Sequence, residues 1–238
     1  MKRAFLLVAV LAAAVSTAAA ATQRAEHSCV RGGELRFTAA DGTKLVGHRF
    51  GTGTTAVILG HQSSGDLCDW LPYARRLASR GYFVLPIDFR GYGSSQPRTG
   101  AAATRFAGDL AAATKAVRKL GKKKVFLVGA SMGGIAALVA AANVVPAVDG
   151  VVSVSAPAQF NGMDAVKTAP RLQVPVLYVA AEGDDYGDFS KDAKAMHAVT
   201  ASADKRLELL PGALHGIELM AGSARAKALV EGFLAGRS

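Results

Sequence analysis

Two hydrophobic rhythms alternate along this chain. Short apolar runs with no polar face recur at 55–61 (TAVILGH), 82–89 (YFVLPIDF), 124–129 (KVFLVG), 149–157 (DGVVSVSAP) and 174–182 (VPVLYVAAE), with a weaker run at 205–210 (KRLELL). Between them lie longer stretches with the 3.6-residue spacing of helices, at 70–81, 104–121, 133–143, 190–200 and 215–236, with room for a short helix around 161–169. The helix over 70–81 is amphipathic and stops at Gly81, and the one over 104–121 stops at Gly121, both as C-cap glycines do. Ahead of all this, 33–50 alternates on either side of Asp41-Gly42, which predicts a hairpin. Strand then helix, repeated, with strands apolar on both faces, predicts an α/β fold: a parallel sheet covered by helices on both sides.

The 238 residues suit one such domain, and with half of them hydrophobic the chain can bury a sizeable core. Residues 1–21 read differently. A basic start (Met1-Lys2-Arg3), an apolar stretch and a small-residue end near Ala20 or Ala21 form the pattern of a cleaved secretory leader, which predicts export to the periplasm or beyond and a mature domain over 22–238. The formal charge of +10 becomes +8 once Lys2 and Arg3 are removed. The basic residues are scattered, with no cationic stripe interleaved with aromatics, so nucleic acid is not indicated. Such a chain can rest weakly on an anionic cell envelope, although a solvated basic surface is the plainer reading. Cys29 and Cys68 both lie in the mature part, where a disulfide between them is expected. No CxxC or His/Cys cluster indicates a metal. The acidic run at 184–188 lacks the twelve-residue spacing of a calcium loop. No cofactor site is visible.

In an open α/β sheet, sites form beyond the carboxyl ends of the strands. There the chain places Ser131 after 124–129, Asp184 and Asp185 after 174–182, and His215 after 205–210. A serine hydroxyl is a poor nucleophile at neutral pH. It needs an imidazole to take its proton, a carboxylate to fix that imidazole, and N–H donors for the oxyanion. Ser131 sits in Val128-Gly129-Ala130-Ser131-Met132-Gly133-Gly134, at a strand-to-helix turn where free N–H groups point outward. The flanking glycines allow strand and helix backbones to crowd that turn.

On these motifs the chain resembles the α/β-hydrolases over about 33–236. Gly129-Ala130-Ser131-Met132-Gly133 resembles their nucleophile elbow, serine, acid and histidine follow in the family's order, Asp88 to Ser95 (DFRGYGSS) resembles the loop after their fourth strand, and His215-Gly216 resembles their histidine loop. The resemblance implies a mostly parallel eight-stranded sheet with an antiparallel N-terminal hairpin. It implies Ser131 as nucleophile and His215 as base. It selects Asp184 as the acid, with Asp185 as runner-up, although Ala181 stands where relatives often have glycine. It implies an oxyanion hole from the N–H groups of Met132 and Ser63, with Gln62 the alternative. Gln62 also stands where many relatives have glycine, and His61 is read as a structural brace.

Acyl transfer to water is the reaction such a site performs. An aspartate at the elbow would be expected of an epoxide or haloalkane hydrolase. Only about 17 residues separate the strands where lids are usually inserted, so no cap domain is expected. Trp70, Phe160, Tyr186 and Phe189 are candidate walls of an open site. The expected substrate is a carboxylic ester, short-chain or bulky. The alternatives are an amidase or peptidase using the same residues, and a hydrolase-fold binding protein that no longer turns over.

Overall fold

The unbroken apolar runs do pair side by side. The computed structural model describes residues 27–102 and 104–237. The leader pattern at 1–21 lies outside them. The strands are β1 (Glu34–Thr38), β2 (Lys44–His48), β3 (Thr55–Gly60), β4 (Phe83–Asp88), β5 (Lys124–Ala130), β6 (Gly150–Val154), β7 (Gln159–Phe160), β8 (Met163–Asp164), β9 (Val176–Ala181) and β10 (Lys205–Leu210). Eight form one sheet in the order β1-β2-β4-β3-β5-β6-β9-β10. The predicted hairpin is there: β1 pairs antiparallel with β2, and β2 antiparallel with β4. From β4 to β10 every neighbour is parallel. β7 and β8 make a separate two-residue hairpin.

The helices are α1 (Leu71–Ala78), α2 (Phe106–Lys119), α3 (Met132–Ala141), α4 (Ala165–Thr168), α5 (Phe189–Val199), α6 (Gly216–Gly222) and α7 (Ala224–Ala235). Side chains alternate across a strand, and β3 shows what that does here. Ala56 and Ile58 join a cluster with Phe106, Leu110 and Ile135 of α2 and α3. Val57 and Leu59 join another with Leu77 of α1, Met220 of α6 and Phe233 of α7. Both faces of the central sheet are therefore buried, which is why the middle positions of β3, β4 and β5 are apolar, while the edge strands β1 and β10 keep charged residues. Each fully buried aliphatic or aromatic side chain contributes about 1.5–3 kcal/mol to that packing.

Two expectations are corrected. The segment 161–169 is not one helix. Asn161 and Gly162 turn a tiny hairpin at positive φ, and α4 begins only at Ala165, capped by Asp164. The stretch 215–236 is two helices, because Ser223 adopts an extended conformation and its side chain accepts a bond from Ala226 N–H at the start of α7. A serine at this point competes for the backbone as an N-cap, which periodicity does not register.

Cys29 and Cys68 are joined, with Cα atoms 6.0 Å apart, tying the segment before β1 to the turn before α1. His27 Nε2 adds a 2.5 Å bond to the buried Asp88.

Candidate active site

Residue 131 is built on strain. Ser131 lies at φ 50, ψ −116, a region costly for any residue with a Cβ, by about 1–3 kcal/mol. Its N–H donates to Val154 O at 2.8 Å on the neighbouring strand, and its carbonyl accepts from Gly134 and Ile135 in the first turn of α3. The backbone is held from both sides. The side chain makes no capping bond. The flanking glycines are steric necessities. A Cβ on Gly129 would lie 2.0 Å from Gly133 O, and one on Gly133 would lie 2.2 Å from Gly60 O. Met132 opens α3, where a helix leaves its first N–H groups without intrahelical acceptors.

The acid and the histidine meet across two loops. Asp184 follows β9 and His215 follows β10, the adjacent parallel strand. His215 Nδ1 lies 2.8 Å from Asp184 Oδ2. The Asp184 side chain is fully shielded, and its other oxygen accepts the N–H of Tyr186 at 3.1 Å. A carboxylate at Nδ1 places the ring proton there and leaves Nε2 as the acceptor. The rings of Phe189 and Tyr186 sit 4.5 and 5.1 Å from the imidazole. Asp185 is exposed and donates its N–H to Ala213 O, so of the two candidates it is Asp184 that reaches His215. Ser131, His215 and Ser63 line one cleft of about 280 Å³, with Phe160, Tyr186 and Phe189 among its walls.

A model described as the alpha/beta hydrolase fold matches residues 55–175. The chain belongs to the α/β-hydrolase family. Among solved structures it is similar to an esterase from Pyrococcus furiosus (19% identity, TM-score 0.71, 86% of this chain and 90% of that one). It is also similar to an esterase from Thermogutta terrifontis (19%, 0.71, 86% and 99%) and to an enol-lactonase from Burkholderia xenovorans (18%, 0.70, 84% and 99%).

This α/β-hydrolase departs from the sequence expectation at Trp70. Its indole does not wall the cleft but is fully buried with Leu77 and Tyr73 beneath α1. His61 is the brace it was read to be. Its Nδ1 pairs with Gln62 O at 2.7 Å, and its Nε2 accepts from Phe89 N–H at 3.2 Å. Burial pushes its pKa down, so the ring stays neutral in that bridge. The loop from Asp88 to Ser95 is the rigid block on which His61 leans. Asp88 accepts from Leu67 and Ser94 N–H, and a Cβ on Gly93 would lie 2.2 Å from Asp88 Oδ2. Arg90 is bound by Asp109 and by Asp41, whose carboxyl the guanidinium holds well below the usual range.

Gln62 does something the sequence did not disclose. Its Oε1 accepts Ile217 N–H at 3.0 Å, and its Nε2 donates to Glu218 at 3.1 Å. Gly216 makes room for it: at φ 50, a Cβ there would lie 2.3 Å from Gln62 Oε1. The loop after β3 and the residues following His215 are thus bolted together by one side chain. The glutamine was visible only as a departure from the family pattern, because its partner lies 155 positions away.

Proposed function

We propose that this chain is an exported serine hydrolase that cleaves small carboxylic esters through Ser131, His215 and Asp184. The observation that carries the reading is the buried 2.8 Å Asp184–His215 bond beside the strained Ser131 turn in one cleft. Ser131 Oγ attacks the ester carbonyl while His215 Nε2 takes its proton. Asp184 keeps the proton on Nδ1 and stabilises the cation that forms. The N–H groups of Met132 and Ser63 receive the oxyanion. The intermediate collapses, and His215 returns the proton to the departing alcohol. Water then attacks the acyl-enzyme with His215 again as base, releasing the acid and restoring Ser131. The leader pattern and the Cys29–Cys68 bridge support an oxidising compartment outside the cytoplasm.

The test is a series of nitrophenyl esters from acetyl to dodecanoyl, beside nitroanilides. A cleft of about 280 Å³, with only the β7–β8 hairpin and the short α4 region between β6 and β9, favours short acyl chains. The expected result is kcat/KM falling at least about tenfold between butanoyl and dodecanoyl esters, because a chain too long for the cleft must crowd its wall residues to bring the carbonyl to Ser131, whereas a site that buried the extra methylenes would gain about 0.8 kcal/mol for each. Anilides cleaved in preference to esters would make the chain an amidase instead. Absence of turnover together with no phosphonate labelling of Ser131 would leave a binding protein.

Gln62→Ala is expected to lower kcat by about 10- to 100-fold, because sub-ångström placement of the base decides the rate. It should also cost about 1–2 kcal/mol of stability through the orphaned Ile217 N–H. Steady-state kinetics and chemical unfolding on the same preparation check both. A stability loss with kcat unchanged would show that the bolt does not position His215.

A further inference from the structure

The cations are scattered along the chain, but the acids are not spread evenly among them. Between Asp109 and Asp149 there is no aspartate or glutamate, while Lys115, Arg118, Lys119, Lys122, Lys123 and Lys124 all fall in that interval. The fold gathers these six on one face. They run along the second half of α2, through the turn at 120–123 and into the start of β5. The loop at 142–149, between α3 and β6, lies against them: Arg118 donates to Pro146 O and Ala147 O, both at 2.8 Å. Of the two bracketing acids, Asp109 is buried against Arg90, and Asp149 accepts the Val125 N–H at 2.8 Å. The turn and the loop precede β5 and β6. This face therefore lies at the amino ends of the parallel strands, opposite the cleft that holds Ser131.

Half of these cations serve the fold. Arg118 holds the loop, Lys122 donates to Gly53 O and sits over the Phe83 ring, and Lys124 donates to Arg237 O. The other three do not. Lys115, Lys119 and Lys123 are exposed, and among the described residues they have neither a carboxylate nor a hydrogen-bond acceptor. Lys115 and Lys119 stand one above the other on α2, where like charges repel. The free protein gains nothing from that placement, whereas an anionic partner does.

An apolar edge stands beside the charge. Val145, at the tip of the loop, is 90% exposed, and Leu120 in the turn is 42% exposed. Lys115, Arg118 and Lys119 form one wall of an open groove of about 620 Å³, and Val144, Val145 and Pro146 form the other. A soluble polyanion would use the cations alone. A lipid surface meets both walls, with phosphate against the lysines and the upper acyl region against the valine.

We propose that this face docks the protein on an anionic phospholipid surface, with Lys115, Lys119 and Lys123 against the headgroup phosphates and Val145 dipping below them. The catalytic cleft then opens away from the lipid, toward substrate in solution. The docking stands on this face alone and does not depend on the esterase reading.

The experiment uses residues 22–238, which hold every described strand and helix and leave out the apolar stretch at 4–15, whose own affinity for lipid would mask the effect. The protein is sedimented with vesicles of phosphatidylcholine, or of phosphatidylcholine and phosphatidylglycerol in equal parts. Partition onto the anionic vesicles is expected to exceed that onto neutral ones by at least about tenfold, and to fall away in high salt. Lys115→Gln, Lys119→Gln and Lys123→Gln together are expected to lower it by about tenfold or more. Lys191→Gln, Lys194→Gln and Arg225→Gln together remove as much charge from exposed positions on α5 and α7, and should leave it within about threefold. Val145→Ser alters an exposed side chain and no charge, and is expected to lower partition about three- to tenfold. No preference for anionic vesicles would overturn the proposal. Equal losses from the two triple variants would overturn it too, leaving net charge as the cause. So would undiminished partition of Val145→Ser, which would make the face a general site for polyanions.

Discussion

Ser131→Ala is expected to yield a folded protein whose kcat on nitrophenyl butanoate is lower by about 10⁴- to 10⁶-fold. The size follows from what is lost. Without Oγ no acyl-enzyme forms, and only the oxyanion donors and binding remain to favour direct attack by water. The fold should be indifferent. Alanine keeps the same Cβ at φ 50, so the strain at this turn is unchanged, and the hydroxyl makes no capping bond that would be lost. Unfolding free energy should therefore move by no more than about 0.5 kcal/mol. Paired measurements of turnover and thermal unfolding check the two halves together. Residual kcat within tenfold of the parent would mean that Ser131 is not the nucleophile.

Asp184→Asn should cost about 10⁴-fold in kcat, while Asp185→Asn should remain within about twofold of the parent. The asymmetry rests on one bond. Asparagine in place of Asp184 can still accept the Tyr186 N–H through its carbonyl, so the loop keeps its shape. Its amide then faces His215 Nδ1 as a donor. That forces Nδ1 to accept and moves the ring proton to Nε2, the wrong side for taking a proton from serine. Asp185 is exposed and engages the histidine loop only through its backbone N–H to Ala213, which substitution does not alter. Equal losses in the two variants, or none in either, would remove Asp184 from the mechanism.

How much of this was legible in the chain depended on whether the determinant was local. The strands could be read because burial on both faces forbids polar residues in a run such as Val125 to Val128. The glycines at 129 and 133 could be read because their steric reason lies within one turn and its neighbouring strand. The break at Ser223 was missed because the apolar spacing of α6 and α7 runs through it, and a cap is a hydrogen bond rather than a hydropathy signal. Trp70 was misplaced because a large aromatic beside a site motif can serve the cleft or the core. Only its packing against Leu77 under α1 decides. Gln62 was out of reach for a stronger reason: its bond joins residues from opposite ends of the chain.

The position of His215 has a consequence for the order in which the molecule becomes competent. Ser131 is made 84 positions before His215, and the bolt from Gln62 closes only on Ile217. A chain shortened before His215 keeps the sequence of the serine turn but lacks the residue the proposed mechanism uses as base and the partner of the Gln62 bolt. On the proposed mechanism the reactive arrangement needs the last helices, so a copy truncated before His215 is expected to be chemically silent.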